Sequence, residues 1–218
     1  MGFLNDQDAQ EVKRRLDAVP GKVKILFFTR ALDCDYCGQE ELLLKEVAGL
    51  SDNLEVEVYN LIGDKRIADK YGIGRVPAIV LLDERGEDSG VRFFGIPAGY
   101  EFISLLEDIE DIGRGSTLLS EEVLSELRVL DSKPIHLQVF VTPNCPYCPS
   151  AVRAAHKFAI ATDNIRADMI EATEFPALSR RYQVTGVPKT VINDKTEFVG
   201  AQGEEALLMY IKQALLGE

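Results

Sequence analysis

The chain has 218 residues, 46% apolar and 28% charged, which is room for one large domain or two of about 110 residues. There is no run of 18 apolar residues, the opening MGFLNDQDAQEVKRR lacks an apolar h-region, and Asp6 breaks the myristoylation pattern, so no transmembrane helix, secretory signal or myristoyl group is expected. With 36 acidic residues against 24 basic and a net charge of −12, neither nucleic acid nor an anionic membrane surface is an expected partner, and a cytoplasmic globular protein is.

In chain order, Asp6–Ala18 is the first predicted helix. Val23–Thr29 (VKILFFT) is β-prone, rich in aromatic and branched residues. Cys34-Asp35-Tyr36-Cys37 follows, and a helical pattern covers Cys37–Gly49. Leu54–Leu61 reads as a second strand, Lys65–Tyr71 as a short helix, Ala78–Asp83 as a third strand and Val91–Phe94 as a fourth. A helix over Gly99–Ile112 closes the series. Gly113-Arg114-Gly115-Ser116-Thr117 is the predicted linker, because two glycines and small polar residues interrupt the periodicity.

The order then repeats. Ser120–Asp131 is a predicted helix, with Ser120 as N-cap and Glu121 and Glu122 in the first turn. A strand over Ile135–Thr142 leads to Cys145-Pro146-Tyr147-Cys148 and a helix over Cys148–Thr162. Ile165–Ala172 is a strand, Phe175–Tyr182 a short helix, Lys189–Ile192 and Glu197–Val199 strands, and Glu204–Leu216 the closing helix.

Cys34 and Cys145 stand 111 positions apart, and this offset aligns residues 34–83 with 145–194 without a gap. It matches both cysteines and both tyrosines of the pairs, and Ala48, Asp52 and Asn53 with Ala159, Asp163 and Asn164. It also matches Tyr71, Val76, Pro77, Val80 and Asp83 with Tyr182, Val187, Pro188, Val191 and Asp194. The chain therefore reads as two copies of one α/β unit, 1–116 and 117–218, each a central mixed β-sheet flanked by helices.

All four cysteines lie in the two Cys-x-x-Cys units and none is left over. A secreted disulfide scaffold would scatter more of them through a shorter chain, so the pairs point to reactivity or to metal binding.

A strand, a C-x-x-C at a helix start and a Val-Pro whose proline stands 43 positions after the first cysteine resemble the thioredoxin fold. Tandem copies with Cys-Pro-Tyr-Cys in the second resemble the protein disulfide oxidoreductases, the glutaredoxin-like proteins of bacteria and archaea. The resemblance covers nearly the whole chain. It implies two tandem thioredoxin-fold units that exchange thiols and disulfides with protein substrates, with no bound organic cofactor or metal and with recycling by a thioredoxin-reductase-like flavoprotein. It further implies that Pro77 and Pro188 are cis and pack beside the active disulfides, offering the backbone of Val76 and Val187 to a substrate strand.

Exchange needs a thiolate, which the open N–H groups and positive dipole end of a helix N-terminus stabilise. Cys34 and Cys145 are thus the expected attacking cysteines. Cys37 and Cys148, three residues on, are the expected resolving ones. Asp33 and Asp35 flank Cys34, with Glu40 and Glu41 shortly after, whereas prolines and Asn144 surround Cys145, so Cys145 is the expected more acidic thiol. Two departures stand out. The central strands hold Phe27, Phe28, Val139 and Phe140 where thioredoxins usually bury an acid, so any proton relay must differ. The first unit also has two extra residues between Thr29 and Cys34.

Two alternatives use the same cysteines. A glutathione-dependent glutaredoxin fits Cys-Pro-Tyr-Cys, but no basic residue precedes Cys145 to hold the tripeptide's carboxylates. A zinc site could draw on four thiolates, but the 107 residues between the pairs far exceed the spacing of a zinc ribbon. His136 and His156 are expected to be structural or at the surface, since neither has metal-ligand spacing to a cysteine.

Overall fold

The structure is a computed structural model that describes residues 2–130 and 133–216. Strands β1 (Val23–Thr29), β2 (Leu54–Asn60), β3 (Ala78–Leu82) and β4 (Asp88–Phe94) come from the first unit. The second supplies β5 (Ile135–Val141), β6 (Ile165–Glu171), β7 (Lys189–Ile192) and β8 (Thr196–Val199). In each unit the first strand pairs parallel with the second and antiparallel with the third, which pairs antiparallel with the fourth.

The two mixed sheets are one. β4 pairs parallel with β6, setting Val91 beside Ala167 and Phe94 beside Ile170, and the eight strands run in the order β2-β1-β3-β4-β6-β5-β7-β8. The outer strand of the first unit thus meets the second strand of the next, head to tail. β2 and β6 are equivalent by repeat but not by setting. β2 (LEVEVYN) is a free edge and carries Glu55 and Glu57, the latter 2.6 Å from Lys24 Nζ; such charges discourage pairing with another chain. β6 (IRADMIE) is interior and almost wholly buried. Its buried Asp168 is held by His136 Nε2 and Arg166 Nε, each at 2.7 Å.

Helices α1 (Asp6–Asp17), α2 (Cys37–Ala48), α3 (Lys65–Lys70), α4 (Phe102–Arg114), α5 (Glu121–Val129), α6 (Cys148–Ala161), α7 (Pro176–Arg181) and α8 (Glu204–Leu216) cover the sheet. Alternation along β1 divides the core. Ile25 and Phe27 join one cluster with α1, α2, α4, α5, α6 and α8, and Leu26 and Phe28 join another beneath α3 and α7. Both clusters draw residues from both units.

Helix ends follow local chemistry. Asn5 Oδ1 accepts from Asp8 N–H to cap α1, and Ser120 Oγ accepts from Val123 N–H to cap α5, as expected. Asp131, where that helix was expected to end, lies outside the described residues. The last helix of the first unit differs from expectation at both ends: a 3-10 turn, Gly99–Glu101, precedes it, and it continues through Gly113 to Arg114. Gly113 is a packing glycine, lying against Val19 while its carbonyl accepts from Gly21 N–H at 2.9 Å. The helix ends instead at Gly115, whose φ of +67° suits the left-handed cap.

α4 and α6 meet across the two units. Arg153 of α6 is paired with Asp108 and Asp111 of α4, and its Nε lies 3.0 Å from Glu107. His156 is fully buried. Burial and the neighbouring Arg153 push its pKa down to about 3, so it is neutral and donates from Nδ1 to Asp108 over 2.6 Å.

Candidate active sites

In the first unit β1 ends at Thr29 and a loop carries the chain to α2. The two extra residues are absorbed where Asp33 takes a left-handed φ of 55°, a conformation Asp tolerates better than most residues. Arg30 closes this loop: its Nη2 donates to the Asp33 carbonyl over 2.7 Å and lies 4.0 Å from the Asp33 carboxylate. Cys34 and Cys37 form a disulfide with Cα atoms 5.5 Å apart. Cys34 is partly exposed and Cys37 is 3% exposed. No side chain caps α2, so the helix that begins at Cys37 starts without a side-chain partner for its first N–H groups. The Val76–Pro77 peptide is cis, and Gly95 N–H at the end of β4 donates to the Pro77 carbonyl over 3.2 Å.

The second site repeats this plan in a tighter form. Cys145 N–H donates to the Thr142 carbonyl, folding the strand directly into the turn, and Cys145 and Cys148 form a disulfide with Cα atoms 5.4 Å apart. Here the first cysteine is itself buried, 8% exposed, and Cys148 is 0% exposed. Tyr147 stands out in solvent. Val187–Pro188 is cis, and Gly200 N–H donates to the Pro188 carbonyl over 2.8 Å. The structure thus joins each cysteine pair and places each Val-Pro on the loop before the third strand of the same unit.

Glu40 and Glu101 are buried and Glu174 is half-buried, none of which the sequence reading foresaw; it counted Glu40 only as a charge near Cys34. Glu40 is fully buried and neither of its oxygens has a hydrogen-bond partner; burial, and then Glu174, hold its carboxyl well above the ordinary range. Glu174, on the link between β6 and α7, accepts from Ile96 N–H over 2.8 Å, and burial pushes its pKa up to about 7. Glu101 lies in the 3-10 turn that packs on α6, where Tyr100 N–H donates to the Pro143 carbonyl over 3.1 Å. Glu101 accepts from Ser104 Oγ over 2.7 Å, and burial raises its pKa to about 7. A signal for Glu40 existed, since Cys37, Glu40, Leu43, Leu44 and Val47 form one buried stripe with a lone acid in it. Glu101 and Glu174 had none, because each lies where its own unit packs on the other, the turn of Glu101 on α6 and Glu174 against Ile96.

A cleft of about 950 Å³ is lined by Lys70, Arg92, His136 and Arg166 at the start of β6, the end of the sheet remote from the sulfurs. No helix among the described residues is long and apolar enough to cross a membrane.

The family described as thioredoxin domain matches residues 135–212. Among curated proteins, the F component of alkyl hydroperoxide reductase from Staphylococcus aureus (strain Mu50) is 26% identical over 88% of this chain, and that of Pseudomonas aeruginosa is 27% identical over 78%. The chain spans about a third of the length of these relatives. Among solved structures, the NTD_N/C domain of alkylhydroperoxide reductase AhpF from Enterococcus faecalis shares the fold. It has a TM-score of 0.89 at 24% identity, covering 96% of this chain and 100% of that one. A protein disulfide oxidoreductase from Aeropyrum pernix K1 is 30% identical with a TM-score of 0.92, over 100% of this chain and 96% of its own. Two disulfides at helix starts, two cis Val-Pro peptides and whole-chain similarity at that identity place this chain in the protein disulfide oxidoreductase family, enzymes of thiol–disulfide exchange on a thioredoxin fold.

Proposed function

We propose that each unit, 1–116 and 117–218, carries one exchange centre acting on protein disulfides. Cys34 and Cys145 attack, and Cys37 and Cys148 resolve the mixed disulfides. Two closed Cys-x-x-Cys disulfides at uncapped helix starts carry this reading. Val76 and Val187, each before a cis proline, offer backbone groups to an extended substrate segment, with Pro77 and Pro188 shaping the turn. The disulfides themselves are the redox groups, so no organic cofactor or metal is assigned. A thioredoxin-reductase-like flavoprotein recycles them in the cytoplasm. Because alkyl hydroperoxide reductase components are among the relatives, a thiol peroxidase is a fitting acceptor of the electrons.

The test is the reduction potential of each pair in the full chain, equilibrated in graded dithiol buffers and read by alkylation and mass spectrometry. Two reversible transitions between about −270 and −120 mV are expected. Pairs that never close, or that release zinc on labelling, would overturn the reading in favour of the metal alternative. Potentials that respond only to glutathione would favour the glutaredoxin one.

A further inference from the structure

Resting on the reading of Val76 and Pro77 as a loop that presents its backbone to substrate, we propose that Glu174 and Phe175 of the second unit are positioning residues of the first exchange site. They brace the end of β4, so that the first site holds its substrate loop in one place and the second site does not.

Two contacts join this link to the end of β4. Glu174 accepts from Ile96 N–H over 2.8 Å, and the Phe175 ring meets Phe94 edge to face with centroids 6.2 Å apart. Two more join the same stretch to the substrate loop. Gly95 N–H donates to the Pro77 carbonyl over 3.2 Å, and the Arg75 guanidinium lies over the Phe94 ring, 5.4 Å from its centroid. Phe94, Gly95 and Ile96 thus stand between the loop they hold and the link that holds them. The link is itself fixed, because Glu171 Oε2 accepts from Thr173 Oγ1 over 2.7 Å and from Glu174 N–H over 2.6 Å. Gly95 permits the close fit. Its φ is +88°, and a Cβ there would stand 2.7 Å from Glu171 Cβ and 2.9 Å from Glu174 Cδ.

The second unit keeps the inner contact and lacks the outer brace. Gly200 N–H donates to the Pro188 carbonyl over 2.8 Å, as Gly95 does to Pro77. Val199 pairs with Lys189 as Phe94 pairs with Ala78, yet Val199 is 56% exposed where Phe94 is 2% exposed. Ala201, which follows Gly200 as Ile96 follows Gly95, is exposed, and among the described residues a Cβ on Gly200 would meet nothing within 4 Å. β8 is the last strand of the sheet, whereas β4 is covered by β6. A loop already held in its binding form loses less freedom when an extended segment pairs with it. The brace therefore acts on the affinity of the first site for polypeptide, and a small disulfide that pairs with no backbone does not draw on it.

The test uses the full chain with one site at a time: Cys145→Ser with Cys148→Ser leaves the first, and Cys34→Ser with Cys37→Ser leaves the second. Each is recycled by dithiothreitol and given either a small aromatic disulfide or two fluorescent peptides that quench each other while joined by one disulfide. At the first site, Glu174→Ala and Phe175→Ala should each raise the KM for the joined peptides about fivefold, with kcat and reduction of the small disulfide within about twofold of the parent. Glu174→Gln, which keeps an oxygen for Ile96 N–H, should hold the KM within about twofold of the parent. At the second site neither Ala variant should move the peptide KM. The proposal is overturned by a first-site KM unchanged in both Ala variants, by a Gln variant as poor as the Ala one, or by equal losses at both sites or on both substrates. A parent first site that reduces the small disulfide but not the peptides would overturn it too. A parent that reduces neither would instead defeat the exchange reading itself.

Discussion

The two exchange sites repeat one plan and differ in what surrounds the sulfur. In the first, Cys34 sits on a long loop between two aspartates, and the buried face of α2 presents Glu40 one turn from Cys37. In the second, Cys145 is itself buried between prolines, and the position of Glu40 is taken by the small, buried Ala151 of α6. Yet each site lies near a carboxyl from the other unit whose pKa burial raises, the half-buried Glu174 for the first and the buried Glu101 for the second. Head-to-tail joining of the sheet makes this possible, since it sets the end of β4 against the end of β6 and α4 against α6. Duplication supplied two equal pairs, and the joint between the copies made their surroundings unequal.

The largest effect should come from breaking that joint. Arg153→Met leaves Asp108 buried without its arginine, a loss of about 3–5 kcal/mol typical of an orphaned buried charge. Urea unfolding should shift as one transition, because both cores span both units. Two separated transitions would show the units to be independent bodies and would remove the structural reason for either site to depend on the other's acid.

Next in size is the pH dependence carried by those acids. A carboxyl whose folded pKa is raised binds more protons folded than unfolded, so its stabilising contribution is full below the unfolded value and is lost as pH rises to the folded one. For Glu101 that window runs from 4.5 to about 7. Glu101→Gln should therefore gain about 3 kcal/mol relative to the parent across it, read from urea midpoints at pH 5 and pH 8. Glu174→Gln should show the same sign and a smaller gain, because Glu174 is less deeply buried and solvent screens it. Equal gains would mean that the two acids sit in like surroundings after all.

Much of this was legible from the amino acids because the repeat doubles every signal. Strand, Cys-x-x-Cys, helix and Val-Pro recur at one offset, so the elements around both sites could be placed from either copy. Helix ends set by local side chains, such as the Ser120 cap, were equally readable. The fusion of the sheets was not, although β6 held a trace of it: it lacks the alternating glutamates of its counterpart β2, as an interior strand must. Gly113 misled for a related reason. A glycine chosen for close approach to Val19 looks, in sequence, the same as one chosen for a flexible link. What stayed hidden depends on contacts between residues some eighty positions apart, such as Glu174 with Ile96, and no local pattern encodes those.

The smallest expected effect concerns the two attacking thiols. The charges near each cysteine put Cys145 ahead of Cys34 in acidity, and α6 has no acid in its first turn where α2 has Glu40. Three features shrink the difference. Burial holds the Glu40 carboxyl well above the ordinary range, which weakens its charge near Cys34, Asp33 is exposed with Arg30 4.0 Å away, and the burial of Cys145 opposes its own ionisation. The two thiols should thus ionise less than about one pH unit apart, Cys145 first, in the pH profile of alkylation of the reduced chain resolved by peptide. Asp33→Asn with Asp35→Asn should narrow the gap from the Cys34 side and leave the Cys145 profile in place. If Cys34 ionises first, Arg30 governs the first site's field and its aspartates only balance that charge.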